Sequence, residues 1–488
     1  LNQISELFSN LSVTSGGFFV FVLLVLGVYY LTPKKAQNIV LLVASYLFSA
    51  SWSWSFAVII LAASAVTYLL ALQIEKTRDK PKSRWLWAGI ILNLSALLFF
   101  KYFGDTQGFL MRVLNHFRID APALASLKLL APVGISFYVL QAISYLVDVH
   151  REQIRANRNF VAVSLYLSYF PKLMAGPIER ADGFFKQLQG EVLVDNAVIR
   201  ISLLRIFVGL VRKIVISDMI TRLIPVGVFA YPRQFPILDL LFWWIVFAFI
   251  VYNDFAGYTS IARGISGLFG IQLSPNFEQP FFSTSYIDFW NRWHISLSNW
   301  LRDYIYLPVS RSLLRRNPSG RYWPNLMIPP AVTMLVSGLW HGLNPHFLLW
   351  GFLNGLLQGI ERLQKSRRKP SSAAPPKWRQ QINIALTLAI LLLISVPFKL
   401  DLAQSFDFWT GMFRWALPQT LVWSNILRPI LGVGISLWID FLYLPEKDEK
   451  GLLKLSKRTQ VLLLTIGLFL LFLGTREQTP APFIYQEF

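Results

Sequence analysis

The sequence predicts an all-α integral membrane protein with many spans, and three observations carry that prediction. Of its 488 residues, 54% are hydrophobic, with a mean hydropathy of +0.47, where soluble domains hold roughly 45 to 50% apolar residues. Apolar runs approaching or exceeding the ~18 residues that read as membrane helices recur along the chain. Between them the basic residues gather in short loops, the pattern of the positive-inside rule. With no polar stretch large enough to fold alone, residues 1–488 are expected to form a single transmembrane domain.

Taken in order, the first apolar stretch, 17–31, is followed by Lys34 and Lys35 and lacks a small-residue cleavage pattern. It reads as a retained span, not a cleaved signal. Basic clusters at 34–35, 76–84, 151–158, 311–321, 365–379 and 447–458 are expected on the cytoplasmic side. Spans then alternate: 17–31 inward, 37–52 outward, 54–73 inward, 85–103 outward and 129–147 inward. This places both termini outside. Segments 160–178 and 288–309 mix Pro, Gly, Trp and charge, and are expected to be re-entrant or interfacial. Irregular backbone at membrane depth survives only where protein or a wet cavity surrounds it, so these pieces predict a lined cavity. Further spans are expected at 198–220, 238–252, 326–340, 347–363, 382–396, 426–443 and 459–473. Residues 365–379 read as a polar cytoplasmic linker. No internal repeat is evident, which weighs against transporters built from duplicated halves.

The chain has no cysteine, which excludes acyl-cysteine intermediates, cysteine-ligated metals and disulfides. The 46 basic and 26 acidic residues leave a formal charge of +20. A nucleic-acid reader would gather such charge on one polar face. Here it is spread over short loops, so the expected partners are anionic membrane lipids and not nucleic acid.

Of only 5 histidines, two lie in tryptophan-rich apolar sequence: His294 in Phe289-Trp-Asn-Arg-Trp-His294 and His341 in Gly338-Leu-Trp-His-Gly342. A neutral imidazole can move a proton near pH 7 without bringing a permanent charge into lipid. At 100° per residue, His294 shares a stripe with Trp290, Trp293, Leu297, Leu301 and Tyr304, opposite Arg292, Ser296, Asn299 and Arg302. It therefore points into packed protein or a cavity, as a catalytic group or a hydrogen-bonded core histidine. His341 ends an apolar helix among Ser337, Gly338 and Gly342, small residues that admit another backbone or an acyl chain. Its plainer reading is a helix-end histidine near water. Asp148, Glu179, Asp254, Asp288, Arg292, Arg302 and Asp303 flank apolar sequence, and some of them are expected to form structural ion pairs. Lys172 and Arg180 could meet phosphates or anchor a kinked loop.

Together these segments resemble the membrane-bound O-acyltransferase family, in the branch holding the membrane subunit of alginate O-acetylation. The resemblance rests on Pro132-Val-Gly-Ile-Ser-Phe-Tyr138, 145–151, Phe170-Pro171 with Ala175-Gly-Pro-Ile178, Asp254-Phe-Ala-Gly-Tyr258, Asn276-Phe277, 289–304, Gly338–Gly342, and Phe483-Ile-Tyr485 with Phe488. It implies a helical fold with re-entrant helices around a central tunnel, His341 as the catalytic histidine and His294 as the second motif position. It also implies a bacterial inner-membrane enzyme with no permanently bound cofactor, which uses acyl-CoA, acetyl-CoA being the expected donor. The acceptor would be an extracytoplasmic polysaccharide, reached with the help of an esterase-like or acetyltransferase partner protein. The chain departs from the pattern at Asn354, where a further His is common, at Ser260 in place of Asp, and at Arg263 in place of an apolar residue.

The expected chemistry is direct acyl transfer from thioester to hydroxyl. His341 acts as base, and His294, Asn299 or a nearby indole stabilises the oxyanion. D-alanyl or longer acyl transfer to a teichoic-acid-like polymer would use the same parts. A lipid or polysaccharide translocator, its histidines merely lining the path, is the rival from another class.

Overall fold

The computed structural model describes residues 11–77, 80–117, 119, 131–190, 194–367 and 376–476, and among them there are helices, turns and loops but no strand. The start of the span expected at 129–147, residues 368–375 of the linker, and the motif residues Phe483, Tyr485 and Phe488 lie outside these residues. Contacts divide the chain into two compact units, Leu1–Ser202 with Ala262–Ser274, and Leu203–Ile261 with Pro275–Phe488.

The first unit contains α1 (Gly16–Leu31), α2 (Lys34–Ala50), α3 (Trp54–Lys76), α4 (Lys80–His116), α5 (Ile135–His150), α6 (Phe160–Ser168), α7 (Phe170–Leu173) and α8 (Ala181–Gln189). Serine caps begin α1 and α3: Ser15 accepts from the Phe18 N–H and Ser53 from the Ser55 N–H. Lys34 and Lys35 open α2. Of the segment 160–178, expected to be re-entrant or interfacial, residues 162–178 are buried without interruption. This is the enclosure that a helix break in apolar surroundings requires. Gly134 explains part of the 132–138 motif. It starts α5 at φ +76, and a Cβ there would lie 1.9 Å from the Leu173 carbonyl oxygen. Lys172 is buried, donating to the Tyr166 carbonyl at 2.6 Å and to Gln141. It anchors the kinked loop. Glu179 likewise accepts from Ser274 N–H at 2.6 Å and its hydroxyl at 3.1 Å.

α9 (Asn196–Leu210) passes from the first unit to the second and continues as a π-helix (Val211–Asp218) and the short α10 (Met219–Thr221). The second unit then holds most of α11 (Ile237–Leu268), followed by α12 (Tyr286–Arg292), α13 (Ile295–Leu301), a second π-helix (Arg302–Tyr306), α14 (Leu307–Arg316), α15 (Trp323–His341), α16 (Pro345–Arg367), α17 (Lys377–Lys399), α18 (Leu402–Gly411), α19 (Trp423–Tyr443), α20 (Lys450–Leu453) and α21 (Lys457–Arg476). Its apolar core includes Leu240, Trp243, Trp244, Ile250, Val396 and Phe408.

A helix stands at every described position where a span was expected, but among the described residues six helices are long and apolar enough to cross a membrane: Trp54–Lys76, Pro81–Phe103, Ile237–Leu268, Lys377–Lys399, Trp423–Tyr443 and Lys457–Thr475. Gly16–Leu31 and Ile135–His150 are apolar but shorter. α16 and α17 reach Arg367 and Lys377, so the described ends of the expected linker are helical. The span expected at 238–252 runs on to Leu268 through Asn253, Asp254, Ser260 and Arg263. Long-range partners make that possible. Lys213 lies 2.6 Å from Asp254, Arg212 donates to Asn253 at 2.9 Å, Ser260 to Glu449 at 2.8 Å, and Arg263 to the Leu273 carbonyl at 3.3 Å.

Candidate active site

Two antiparallel helices, α15 and α16, carry His341 into place through a seam of glycines. Added Cβ atoms would lie 2.4 Å from the Phe347 carbonyl oxygen at Gly338, 2.4 Å from the Met334 carbonyl oxygen at Gly351, and 2.6 Å from Ala331 Cα at Gly355. The two backbones therefore approach as closely as small residues allow. The space beside Gly338 is filled by protein backbone, not by substrate. His341 ends α15, and Gly342 closes the turn by donating its N–H to the Gly338 carbonyl at 3.1 Å. The imidazole is buried among aromatic rings, with centroids 4.8 Å from Phe398, 5.4 Å from Trp350 and 6.2 Å from Phe347.

His294 reaches its position differently from the single stripe expected through Trp290, Trp293, Leu297, Leu301 and Tyr304. α12 stops at Arg292 and α13 restarts at Ile295, with His294 between them at φ 43 and ψ 53. Left-handed backbone is uncommon outside glycine and costs about 1 to 3 kcal/mol. The neighbouring chain at 276–278 holds it there. Ile295 N–H donates to the Asn276 carbonyl at 2.9 Å, the Ser296 hydroxyl to Asn276 Oδ1 at 2.6 Å, and Glu278 N–H to the Arg292 carbonyl at 3.0 Å. These bonds replace part of the helical ladder, so the periodicity does not carry through the break. Ser296, expected on the polar side, is consequently buried. Asn276 is itself steadied by donating to the Thr259 hydroxyl at 3.3 Å.

Both histidines line one cavity of about 420 Å³. Ser337 and Asn354 add polar groups, and Trp244, Phe249, Trp290, Leu392 and Phe398 form apolar wall. The His294 ring is enclosed, 4.7 Å from the Phe255 ring and 6.4 Å from that of Trp340. His294 lies outside the helices long and apolar enough to cross a membrane, and burial pushes its imidazole down to about 3, so it is neutral at physiological pH. Of the proposed oxyanion donors, His294 and the indoles of Trp290, Trp293 and Trp350 reach the cavity wall, whereas Asn299 is not among its lining residues.

The departures from the family pattern have structural partners. Asn354 accepts from the Tyr286 hydroxyl and donates to the Trp350 carbonyl at 2.7 Å, tying α16 to α12 beside the cavity. Asp288 and Arg292 pair along α12 at 2.9 Å, and Arg302 pairs with Asp303 at 2.9 Å. Sequence reasoning placed Asn276 in a motif without giving it a role. Its contacts span 17 or more residues of sequence, and no local pattern announces them.

The membrane-bound O-acyltransferase family model matches residues 149–398, which include every residue lining the cavity. A probable alginate O-acetylase of Azotobacter vinelandii is 33% identical over 363 residues, covering 74% of this chain and 70% of the relative. A peptidoglycan O-acetyltransferase of Helicobacter pylori is 29% identical over 393 residues, covering 74% and 72%. A teichoic acid D-alanyltransferase of Bacillus subtilis is 26% identical over 263 residues, covering 53% and 66%. Extended matching through the region that builds the cavity, together with helices able to cross a bilayer, makes this chain a membrane enzyme of the membrane-bound O-acyltransferase family.

Proposed function

We propose that the protein transfers an acetyl group from cytoplasmic acetyl-CoA to a hydroxyl on the outer side of a bacterial inner membrane, the acceptor being a polysaccharide or a partner protein that relays the group to one. The observation that carries this reading is the meeting of His294 and His341, from separate segments, at one largely apolar cavity. The relatives named for acetyl transfer to alginate and peptidoglycan support an acetyl donor and an extracytoplasmic polymer. The family's tunnel would join the two faces, with both termini outside. In this reading His341 removes the hydroxyl proton as the oxygen attacks the thioester carbonyl. A new C–O bond forms, the C–S bond breaks, and the thiolate leaves to be protonated. His294 and the indole N–H groups stabilise the developing oxyanion.

Proteoliposomes supplied with radiolabelled acetyl-CoA on one face and a soluble polysaccharide on the other test the reading. The expected result is matched release of free CoA thiol and appearance of label on the polymer. Polymer movement without thiol release would make the protein a translocator. Label from D-alanyl donors but not from acetyl-CoA would move it to the chemistry of the teichoic acid relative.

Asn276 should position His294 without touching substrate. Asn276→Ala removes the acceptor of the Ser296 hydroxyl, and kcat is expected to fall about tenfold or more, since small displacements of a reacting group are costly. Asn276→Asp keeps that acceptor and should retain most of the rate. Equal losses in both variants, or a change confined to KM, would make Asn276 a structural residue only.

A further inference from the structure

We propose that a basic cradle at the end of α3 binds a phosphate ester, supplied by the headgroup of an anionic phospholipid. The cradle is a surface cavity of about 820 Å³ in the first unit and shares no lining residue with the histidine cavity. Tyr68, Leu72, Glu75 and Lys76 from the last turns of α3 form one side, and Arg155 and Arg158 from the loop after α5 form the other.

The loop is held against the helix by its backbone. Ala156 N–H donates to Glu75 at 3.0 Å, the Tyr68 hydroxyl to the Arg158 carbonyl at 2.9 Å, and Asn157 N–H to the Tyr145 hydroxyl at 2.8 Å. The Tyr68 ring meets Phe160 edge-on at 5.4 Å. These contacts fix the backbone that carries Arg155 and Arg158 beside the end of α3, while Lys76, Arg155 and Arg158 stay exposed. Glu75 is the one carboxylate in the lining. Its nearer oxygen serves the loop backbone, and its other oxygen lies 4.0 Å from the Arg158 guanidinium. Three cations against one engaged carboxylate leave an excess of positive charge in a preformed hollow. Guanidinium groups bind phosphate oxygens bidentately, and a phosphate is the anion that every phospholipid headgroup carries.

The helix that carries the cradle points to a lipid source. α3 has 23 residues and is apolar enough to cross a membrane, giving a length of about 35 Å against a hydrocarbon core of ~30 Å. Val58, Leu61 and Leu69 stand exposed along it. Its last turn, with Lys76, therefore falls at the level of lipid headgroups. Leu72 continues the apolar strip into the cradle, where it can meet the glycerol and first methylenes of a lipid. A hollow of this size exceeds what inorganic phosphate requires.

The test uses the full chain in phosphatidylcholine nanodiscs doped with phosphatidylglycerol bearing a photo-crosslinker next to its headgroup. Labelling is expected on peptides covering 68–76 and 151–158. It should fall about 20- to 30-fold in the double variant Lys76→Gln/Arg155→Gln, from the usual contribution of two basic residues at an anionic surface. The control Lys457→Gln/Arg458→Gln removes two basic residues from the start of α21, outside the cradle, and should label as the wild type does. Millimolar inorganic phosphate is expected to leave the label in place. If phosphate displaces it, the phosphate ester chemistry stands and the source is soluble. Labelling that is equal in the two double variants, or absent from these peptides, overturns the proposal.

Discussion

His341→Ala should lower acyl transfer by about 10²- to 10⁴-fold, the usual contribution of a general base, while leaving membrane insertion and folding near normal. The helix pair that carries this ring is held together by its backbones. Gly338, Gly351 and Gly355 bring α15 and α16 together through backbone contacts, and His341 projects from the end of that pair into the cavity wall. The imidazole packs against Phe398 and Trp350 on one side and faces the cavity on the other, so the space left by its removal joins space already there. The measurement is single-turnover acetyl transfer by purified protein, with thermal unfolding in detergent as the control. His294→Gln should cost less, because indole N–H groups share the wall with it. Wild-type transfer by correctly folded His341→Ala would remove the assignment of this histidine as the base.

Asp440→Ala should be the most damaging single change to stability. Arg212 is buried in the first π-helix and donates to Asp440 at 2.5 Å and to Asn253 at 2.9 Å. The Tyr252 hydroxyl donates to the same carboxylate at 2.8 and 2.9 Å, and the guanidinium lies over the rings of Tyr252 and Tyr443 at 5.2 and 5.6 Å. Deleting the carboxylate strands a guanidinium away from water, which costs about 3 to 5 kcal/mol. The double variant Arg212→Met/Asp440→Leu removes both charges and should recover much of the loss, since apolar replacement of a whole buried pair is often neutral. Denaturant unfolding in micelles, run as a double-mutant cycle, reads both effects. An Asp440→Ala variant within about 1 kcal/mol of wild type would show that solvent reaches Arg212.

Much of this architecture could be read along the chain because its causes are local. A run of apolar residues commits a segment to helix and to lipid whatever its neighbours do, which is why helices stand at all the expected positions. The family motifs likewise drew attention to His294 and His341. Misreadings arose where a distant partner altered the local tendency. α11 continues past Tyr252 because Lys213 lies beside Asp254 and Arg212 beside Asn253. The stripe through 290–304 breaks because Asn276 takes up the backbone after His294. Of the two readings open for Lys172, the loop anchor holds, because Tyr166, Gln141 and Phe184 enclose it.

The sequence by itself determined a helical membrane enzyme, the position of its helices and the two histidines worth testing. Hydrophobicity and residue chemistry act over a single turn or a single span, and both can be read from neighbouring letters. Only the tertiary structure decided that His294 sits in a left-handed break and that backbone fills the space beside Gly338. It also decided that both imidazoles line one cavity. Each of those depends on hydrogen bonds and close approaches between residues far apart in the chain, whose partners no local pattern specifies.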